Sequence, residues 1–468
     1  MRKTKIICTI GPRTCNYNQL KMLADGGMNI ARLNISHGSY EWHRKVIKHI
    51  RAINKNLKYP IAIMLDTKGP EVRSGDLKKE VKLSRGDKFI FTIRSEPEYP
   101  ENMTEVSYDG FIDNIKVGDI ILVDGGMLSF EVKEKTANDI ICESKDGGVL
   151  TSRRHLNVRG KSVRLPSITK EDWKDIEFGI KEGVDFIALS FVKTAGAVNV
   201  LKRFLAKKKA SVEVVAKIES STSVLNLEEI IKAADGVMVA RGDLGSELPL
   251  EEVPLIQEEI VNLSRFYGKP VIIATHFLES MITHPTPTRA EVSDIAQAVK
   301  EQADAIMLSG ETATGNYPFK ALEVMNRVIR RIEKKMKEDE KTIVPRSDDL
   351  KEQIAISAAI IGNNIKADSI LAFTRKGFMP SLLSRCRPNS QIYAFADTTH
   401  VCHKLNLYWG VQSFRIEFFR DPEKTIQHAI TSLKEKKLMK KNHRIVIVSD
   451  ILANKEVVDT IQVRTIHI

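Results

Sequence analysis

Short runs of β-branched and other apolar residues alternate with helix-spaced apolar positions from the start of the chain, the pattern of parallel βαβ units. The first run covers residues 5 to 10 and stops at Gly11-Pro12; a short helix follows around Leu20, Leu23 and Ala24 and ends at Gly26-Gly27. A second run, 29 to 35, precedes a helix with Trp42, Val46, Ile50 and Ile53 on one stripe, and a third, 61 to 65, closes on Asp66.

There the period changes. From about Pro70 to Pro166 the chain carries short alternating segments, 88 to 93 and 127 to 132 among them, with Gly-Asp turns at Gly86-Asp87 and Gly118-Asp119 and no helix of convincing length. Such a stretch is far longer than an ordinary connection and predicts an inserted all-β domain, a small β barrel. The βα alternation resumes at Thr169-Lys170-Glu171-Asp172, a capping-box spacing that opens a helix with Trp173, Ile176 and Ile180 on one face. Strands are expected over 185 to 191, 212 to 218, 235 to 240, 270 to 275 and 304 to 308, with Val198, Leu201 and Leu205 on one intervening helix and a second capping box at Thr288 to Glu291. The eight strands predict an α/β fold, a closed (β/α)8 TIM barrel interrupted after its third strand. Its last helix begins at Pro318, a good first helical residue, carries Leu322, Met325, Ile329 and Ile332, and leads into a charged run to Lys341. A third region has its own βα pattern, with strands at 369 to 374, 391 to 396, 411 to 416, 444 to 449 and near 461 to 466. The expected domains are a barrel of residues 1–69 and 167–341, an insertion of 70–166, and a C-terminal α/β domain of 344–468.

Composition narrows the chemistry. The length of 468 residues with 42% hydrophobic positions allows sizeable cores in roughly two to four domains. Five scattered cysteines without a C-x-x-C pair give neither a disulfide framework nor a zinc site, and Cys402-His403 with His400 nearby reads as surface or core. A reducing compartment, the cytoplasm, is expected. No apolar run approaches the ~18 residues of a membrane span, and the basic start is followed by too short an apolar stretch for a signal peptide. The net charge of +12 sits in mixed-sign runs such as 330 to 338, with aromatics at only 6%, which argues against nucleic acid and for small anionic substrates.

Catalytic residues of such barrels lie at the C-terminal strand ends, where this chain concentrates polar side chains. Lys217 and Glu219 are two apart at the end of one strand and share a side, and Asp243 follows the next. Two carboxylates and an ammonium at one mouth call for a divalent cation to balance them. Arg32, Asn34 and Ser36 alternate after the second strand, with His37-Gly38 beyond; Asp66-Thr67-Lys68 follow the third, Thr275-His276 the seventh, and Ser309 to Thr312 the eighth. Singly each is an ordinary loop residue. As a ring they suit phosphoryl transfer: Glu219 and Asp243 for Mg2+, Arg32 and Lys217 for the charge on the moving group, and Asn34, Ser36, Asp66 and Thr67 for a monovalent cation.

These residues lie in segments that resemble pyruvate kinase in order and spacing over nearly the whole chain: TIGP (9–12), ARLNISHG (31–38), LDTKGPEVR (65–73), VVAKIES (214–220), MVARGDLG (238–245), ATHFLESM (274–281), PTRAE (287–291) and MLSGETATGNYP (307–318). The resemblance implies transfer of the phosphoryl group of phosphoenolpyruvate to ADP, followed by protonation of the enolate, as the last step of glycolysis. Residue by residue it implies that Arg32 contacts the phosphoryl, Lys217 stabilises it, and Glu219 and Asp243 hold Mg2+ or Mn2+. Gly242, Asp243 and Thr275 would bind substrate, Asn34, Ile35, Ser36, His37 and Arg73 the nucleotide, and Asn34, Ser36, Asp66 and Thr67 potassium, whose use goes with Glu71. Thr275, Ser309 and Glu311 all stand as proton donors. The insertion would be a mobile lid and the assembly a homotetramer.

Some positions depart from the family pattern. His276 stands for the usual glutamine, Lys170 is one place from the family's nucleotide-side lysine, and Asn157 to Gly160 and Asp124-Gly125-Gly126 differ in the lid. Rival readings are a metal-dependent lyase or aldolase acting on pyruvate-like enolates, and a basic nucleic-acid-binding protein. In the C-terminal region, Thr374-Arg375-Lys376-Gly377-Phe378-Met379 replaces a Ser/Thr-Gly-rich phosphate cradle, with Lys376 and Phe378 in place of small or hydroxylated residues. The expected outcome of adding fructose 1,6-bisphosphate is therefore little change in the half-saturating phosphoenolpyruvate concentration, measured by steady-state kinetics.

Overall fold

Eight parallel strands close into a barrel because their apolar positions occupy both faces, one turned inward and one toward a ring of helices. The computed structural model describes residues 2–123, 126–159, 166–336, 349–453 and 456–467. Three strands come first: β1 (Lys5–Thr9), β2 (Ile30–Asn34) and β3 (Ala62–Asp66). The inserted region contributes β4 (Val81–Leu83), β5 (Lys88–Thr92), β6 (Met103–Glu105), β7 (Ile120–Val123), β8 (Leu128–Lys135), β9 (Asp139–Ser144), β10 (Gly148–Leu150) and β11 (Leu156–Val158). The barrel resumes with β12 (Phe186–Leu189), β13 (Glu213–Ile218), β14 (Gly236–Ala240), β15 (Val271–Ala274) and β16 (Ala305–Leu308). The C-terminal sheet holds β17 (Ser369–Phe373), β18 (Gln391–Ala396), β19 (Val411–Arg415), β20 (Arg444–Ala453) and β21 (Glu456–Thr465).

Barrel closure runs β1-β16-β15-β14-β13-β12-β3-β2. The period of two is clean: Ile7, Met64, Phe186, Met238, Ile272 and Met307 fill the interior, and Leu407 from the C-terminal region completes that inner cluster from below. Their neighbours Ile6, Leu65, Ile187, Val239, Ile273 and Ile306 pack against the helices. Both expected capping boxes form, Thr169 with Asp172 and Thr288 with Glu291.

The insertion is a six-stranded sheet ordered β11-β7-β8-β9-β5-β6 with a β10-β4 ribbon, packed on Phe89, Phe91 and Phe130, whose ring centroids lie 5.2–5.7 Å apart. Its two Gly-Asp turns use one device. Gly86 and Gly118 take φ of 94° and 90°, and the next residue's carboxylate accepts an upstream amide, Asp87 from Ser84 at 2.7 Å and Asp119 from Lys116 at 2.8 Å.

Three details differ from the sequence expectation. β12 ends at Leu189, so Ser190 and Phe191 lie beyond it. Asp243 does not sit on a simple strand end but in the first turn of a short helix, Arg241–Glu247. The last strand is longer than expected and pairs antiparallel with β20 along ten residues each. The expected junctions at 341 and 344, Asp124-Gly125 and Gly160 lie outside the described residues.

The N-terminal mouth of the barrel is an acidic ring docked on the C-terminal region. Asp185 pairs with His403 at 2.9 Å, Glu213 with Lys404 at 2.7 Å and Asp304 with Arg387 at 2.9 Å, while Asp235 takes Lys202 of the barrel at 2.6 Å. Asp304 is the hub: it also accepts the amides of Val271 and Trp409 at 3.1 and 3.0 Å. Removing one partner of a buried pair leaves an uncompensated charge, at a cost of about 3–5 kcal/mol. Arg387→Met is therefore expected to bring forward the loss of Trp409 emission in urea by that free energy.

Candidate active site

At the opposite mouth, β13 and β14 are parallel neighbours with Lys217 level with Met238, so both strands deliver their last residues to one place. Lys217 and Glu219 share a side as expected, with Nζ donating to Glu219 Oε1 at 2.9 Å. The ammonium also donates to Asp66 Oδ1 at 3.1 Å and Ser190 Oγ at 2.7 Å. Asp66, at the end of β3, gives its other oxygen to Arg32 Nε at 2.6 Å, and Arg32 Nη1 donates to Thr9 Oγ1 at 3.0 Å. Asn34 stands directly across from Asp66 in the β2–β3 register.

Burial and charged partners compete over the protonation of this cluster, and the winner differs from group to group. Burial would raise Asp66, but Arg32 and Lys217 outweigh it and hold the carboxyl below its ordinary range. For Lys217 burial pulls down, yet Asp66 and Glu219 dominate and the ammonium is held above its ordinary value. Glu219 is pushed up, first by burial and then by Asp243, against the pull of Lys217. Asp243 is also pushed up, by burial with Glu71 adding to it, and it shares a hydrogen bond with Glu219. Two fixed cations thus face three carboxylates, and the excess negative charge resides on Glu219 and Asp243.

That donor set fits a hard divalent cation. Mg2+ takes one or two carboxylates and leaves its other positions to water and substrate oxygens. Among the described residues no three His, Cys, Asp or Glu side chains form a full protein cage, so substrate oxygens would complete the sphere.

Gly242 lies beside Asp243, and its amide donates to Thr275 Oγ1 at 3.0 Å. Thr275 donates in turn to the Ala274 carbonyl at 2.6 Å. Thr275 and His276 both adopt positive φ, 71° and 57°, and a Cβ on Gly242 would stand 3.3 Å from the His276 ring. The three proton-donor candidates differ. Both oxygens of Glu311 accept backbone amides, from Leu278 at 3.1 Å and Ser309 at 2.6 Å. Thr275 is committed to Ala274, whereas Ser309 Oγ is buried with no hydrogen-bond partner among the described residues.

The remaining expected residues are looser. Asn34 Oδ1 accepts the Ser36 amide at 3.2 Å, Ile35 is buried, and Ser36 and His37 are exposed, with the His37 carbonyl meeting His43 Nε2 at 2.8 Å. Thr67 Oγ1 accepts the Ser190 amide at 3.1 Å. Arg73 lies on the inserted region, its guanidinium taken by Glu71 at 2.6 Å and the Arg153 carbonyl at 3.0 Å. In the C-terminal region Arg375 pairs with Asp397 at 2.9 Å and Phe378 is exposed. The sequence expectation missed Thr9, Ser190 and Phe191, whose amide donates to Glu219 Oε2 at 2.6 Å. A polar residue following an apolar run was the available signal for Ser190. In sequence the run extends through Phe191, which hides the strand end at Leu189.

Residues 1–322 match the family model described as "Pyruvate kinase, barrel domain" and residues 352–464 the one described as "Pyruvate kinase, alpha/beta domain". Plastidial pyruvate kinase 2 of Arabidopsis thaliana is 51% identical over 96% of this chain and 78% of its own length. The pyruvate kinase of Geobacillus stearothermophilus is 39% identical over 96% of this chain and 78% of its own. The crystal structure of a pyruvate kinase from Cryptosporidium parvum superposes with a TM-score of 0.92 at 34% identity, covering 99% of this chain and 96% of that one.

Glu219 and Asp243 hold protons to higher pH than ordinary carboxylates, so a divalent cation bound by them would displace those protons. Affinity for Mn2+ is expected to strengthen as pH rises over roughly pH 5 to 7, by up to about tenfold per unit for each proton displaced. Titration of the free protein with Mn2+ by electron paramagnetic resonance checks it; a flat profile contradicts it.

Proposed function

The chain belongs to the pyruvate kinase family, and from that premise we infer that it moves the phosphoryl group of phosphoenolpyruvate to ADP, giving pyruvate and ATP. The observation that carries this reading is the buried set of Arg32 and Lys217 against Asp66, Glu219 and Asp243. Phosphoryl transfer needs fixed positive charge around the moving group and little covalent chemistry from the protein.

In our assignment Lys217 and Arg32 neutralise the charge that spreads over the transferring phosphoryl. Glu219 and Asp243 hold the divalent ion, Mg2+ or Mn2+, which when bound polarises the phosphoryl oxygens. All three Lys217 N–H groups have acceptors; were Glu219 to serve as a metal ligand, one of them would be released for a phosphoryl oxygen. Gly242, Asp243 and Thr275 are assigned to substrate binding, in which the Gly242 amide and the Thr275 hydroxyl would exchange their present partners, Thr275 Oγ1 and the Ala274 carbonyl, for the substrate carboxylate. Asn34, Ile35, Ser36, His37 and Arg73 receive the nucleotide, with Arg73 brought by the inserted region acting as a lid. Potassium is assigned to Asn34, Ser36, Asp66 and Thr67, a use that goes with Glu71 in the family pattern. Ser309, with its free hydroxyl, is favoured for delivering the enolate's proton through water.

The place of the reaction at the end of glycolysis and a homotetrameric assembly are further parts of the proposal. The assembly is supported by apolar side chains left outside, Leu225 at 86%, Leu250 at 75% and Leu255 at 63% exposure. No helix among the described residues is long and apolar enough to cross a membrane, and all five cysteines are free, which supports a reducing aqueous compartment. We propose the cytoplasm. The Arabidopsis relative is plastidial by name, so a plastid stroma is the second reading. The lyase or aldolase alternative has no support in the family matches, and it would leave the inserted region without a task.

At ~4 Å and an effective dielectric near 20, an ion pair contributes about 4 kcal/mol, so Lys217→Met is expected to lower kcat by about 10^3. Pyruvate formation should require ADP and fall when potassium is replaced by tetramethylammonium. Coupled assays with and without ADP check both; ADP-independent pyruvate formation would point to the lyase.

A further inference from the structure

Ser190 is fully buried just past β12. Its single hydroxyl proton goes to the Thr67 carbonyl at 2.7 Å, so toward Lys217 Nζ at 2.7 Å it acts as an acceptor. Of the three acceptors that saturate Lys217, Asp66 also serves Arg32 and Glu219 is a ligand for the divalent ion. Ser190 is the neutral one, with no charge to share with Arg32 or a metal ion.

Phe191 adds the second half. It adopts φ 52°, a conformation sparse for bulky side chains and typical of constrained functional positions. Its amide donates to Glu219 Oε2 at 2.6 Å, the oxygen that Lys217 does not use. One dipeptide therefore fixes both the cation and the metal-binding acid.

The same dipeptide lies under the exit to the insertion. Gly69, at φ 75°, packs so closely that a Cβ there would stand 2.6 Å from Ser190 Cβ and 2.8 Å from Phe191 Cδ2. From the inserted region, the His155 ring lies 5.8 Å from the Phe191 ring. We propose that Ser190 and Phe191 are positioning residues that set the Lys217 ammonium and the Glu219 carboxylate in one register and transmit to both the seating of the inserted region. The inference rests on the roles assigned above to Lys217 and Glu219.

The test uses full-length S190A, F191G, H155A and the H155A/F191G double variant, with kcat, KM for phosphoenolpyruvate and Mn2+ affinity of the free enzyme as readouts. S190A removes only the acceptor oxygen; kcat is expected to fall about 10- to 100-fold, the range for a hydrogen bond to a charged group, with KM and Mn2+ affinity within about twofold of wild type. F191G keeps the amide and tolerates the backbone conformation while removing the ring. It and H155A should each lower kcat by a similar factor, and the double variant no further than either, as one coupled contact requires. Wild-type kcat in S190A, or independent additive losses in the double variant, overturns the proposal. Should S190A fail to fold by circular dichroism, S190C, which retains a weak acceptor, is expected to fall between S190A and wild type; full activity there also overturns it. Loss of turnover in K217M but not in S190A refutes the positioning role alone, whereas intact turnover in K217M and E219Q refutes the assignment beneath it.

Discussion

The Lys217 ammonium has three protons and three acceptors, Ser190 Oγ, Asp66 Oδ1 and Glu219 Oε1, at 2.7, 3.1 and 2.9 Å. A buried lysine stays charged when matched in this way, whereas desolvation alone would favour the neutral amine. The same bonds aim it. Because Asp66 also holds Arg32, the two cations that would meet a phosphoryl group are spaced by one carboxylate and cannot drift apart. What the cluster does not satisfy internally is the charge on Glu219 and Asp243, and that residue of unmatched negative charge makes the mouth a site and not merely a buried network.

Such placement needs a frame that does not yield. The barrel supplies it through parallel strands packed on both faces, each delivering its terminal side chain within the pleat. Functional groups from β2, β3, β13 and the helix after β14 meet because closure leaves them no other register. Loops add the finer adjustment at backbone conformations that ordinary packing would not select, at Phe191, Thr275 and His276. Strain of that kind persists only where the surrounding structure over-determines it.

Much of this was legible in the sequence because it rests on periodicity. Apolar runs between helical stripes marked the barrel strands, and an alternation of two the shared side of Lys217 and Glu219, while capping residues Thr169 and Thr288 marked helix starts. What escaped depends on partners far along the chain or on strand direction. Asp66 reads as a cation ligand in sequence, and only the fold shows that Arg32 and Lys217 share it. Ser190 and Phe191 were masked by an apolar run whose last two residues have left the strand. The acids at the other mouth are visible as polar residues at strand starts, but His403, Lys404 and Arg387 lie in another domain. The antiparallel sense of β21 is invisible to any one-dimensional pattern.

Leu407 carries a consequence for the integrity of the molecule. It is buried among the inward-facing side chains of the barrel although it belongs to the C-terminal region, so the cylinder borrows its floor. A fragment stopping after the helix Pro318–Met336 would open that end of the apolar interior to water and strand the acids around it. The cylinder and the sheet beneath it therefore share one buried surface, and truncation of either exposes the other.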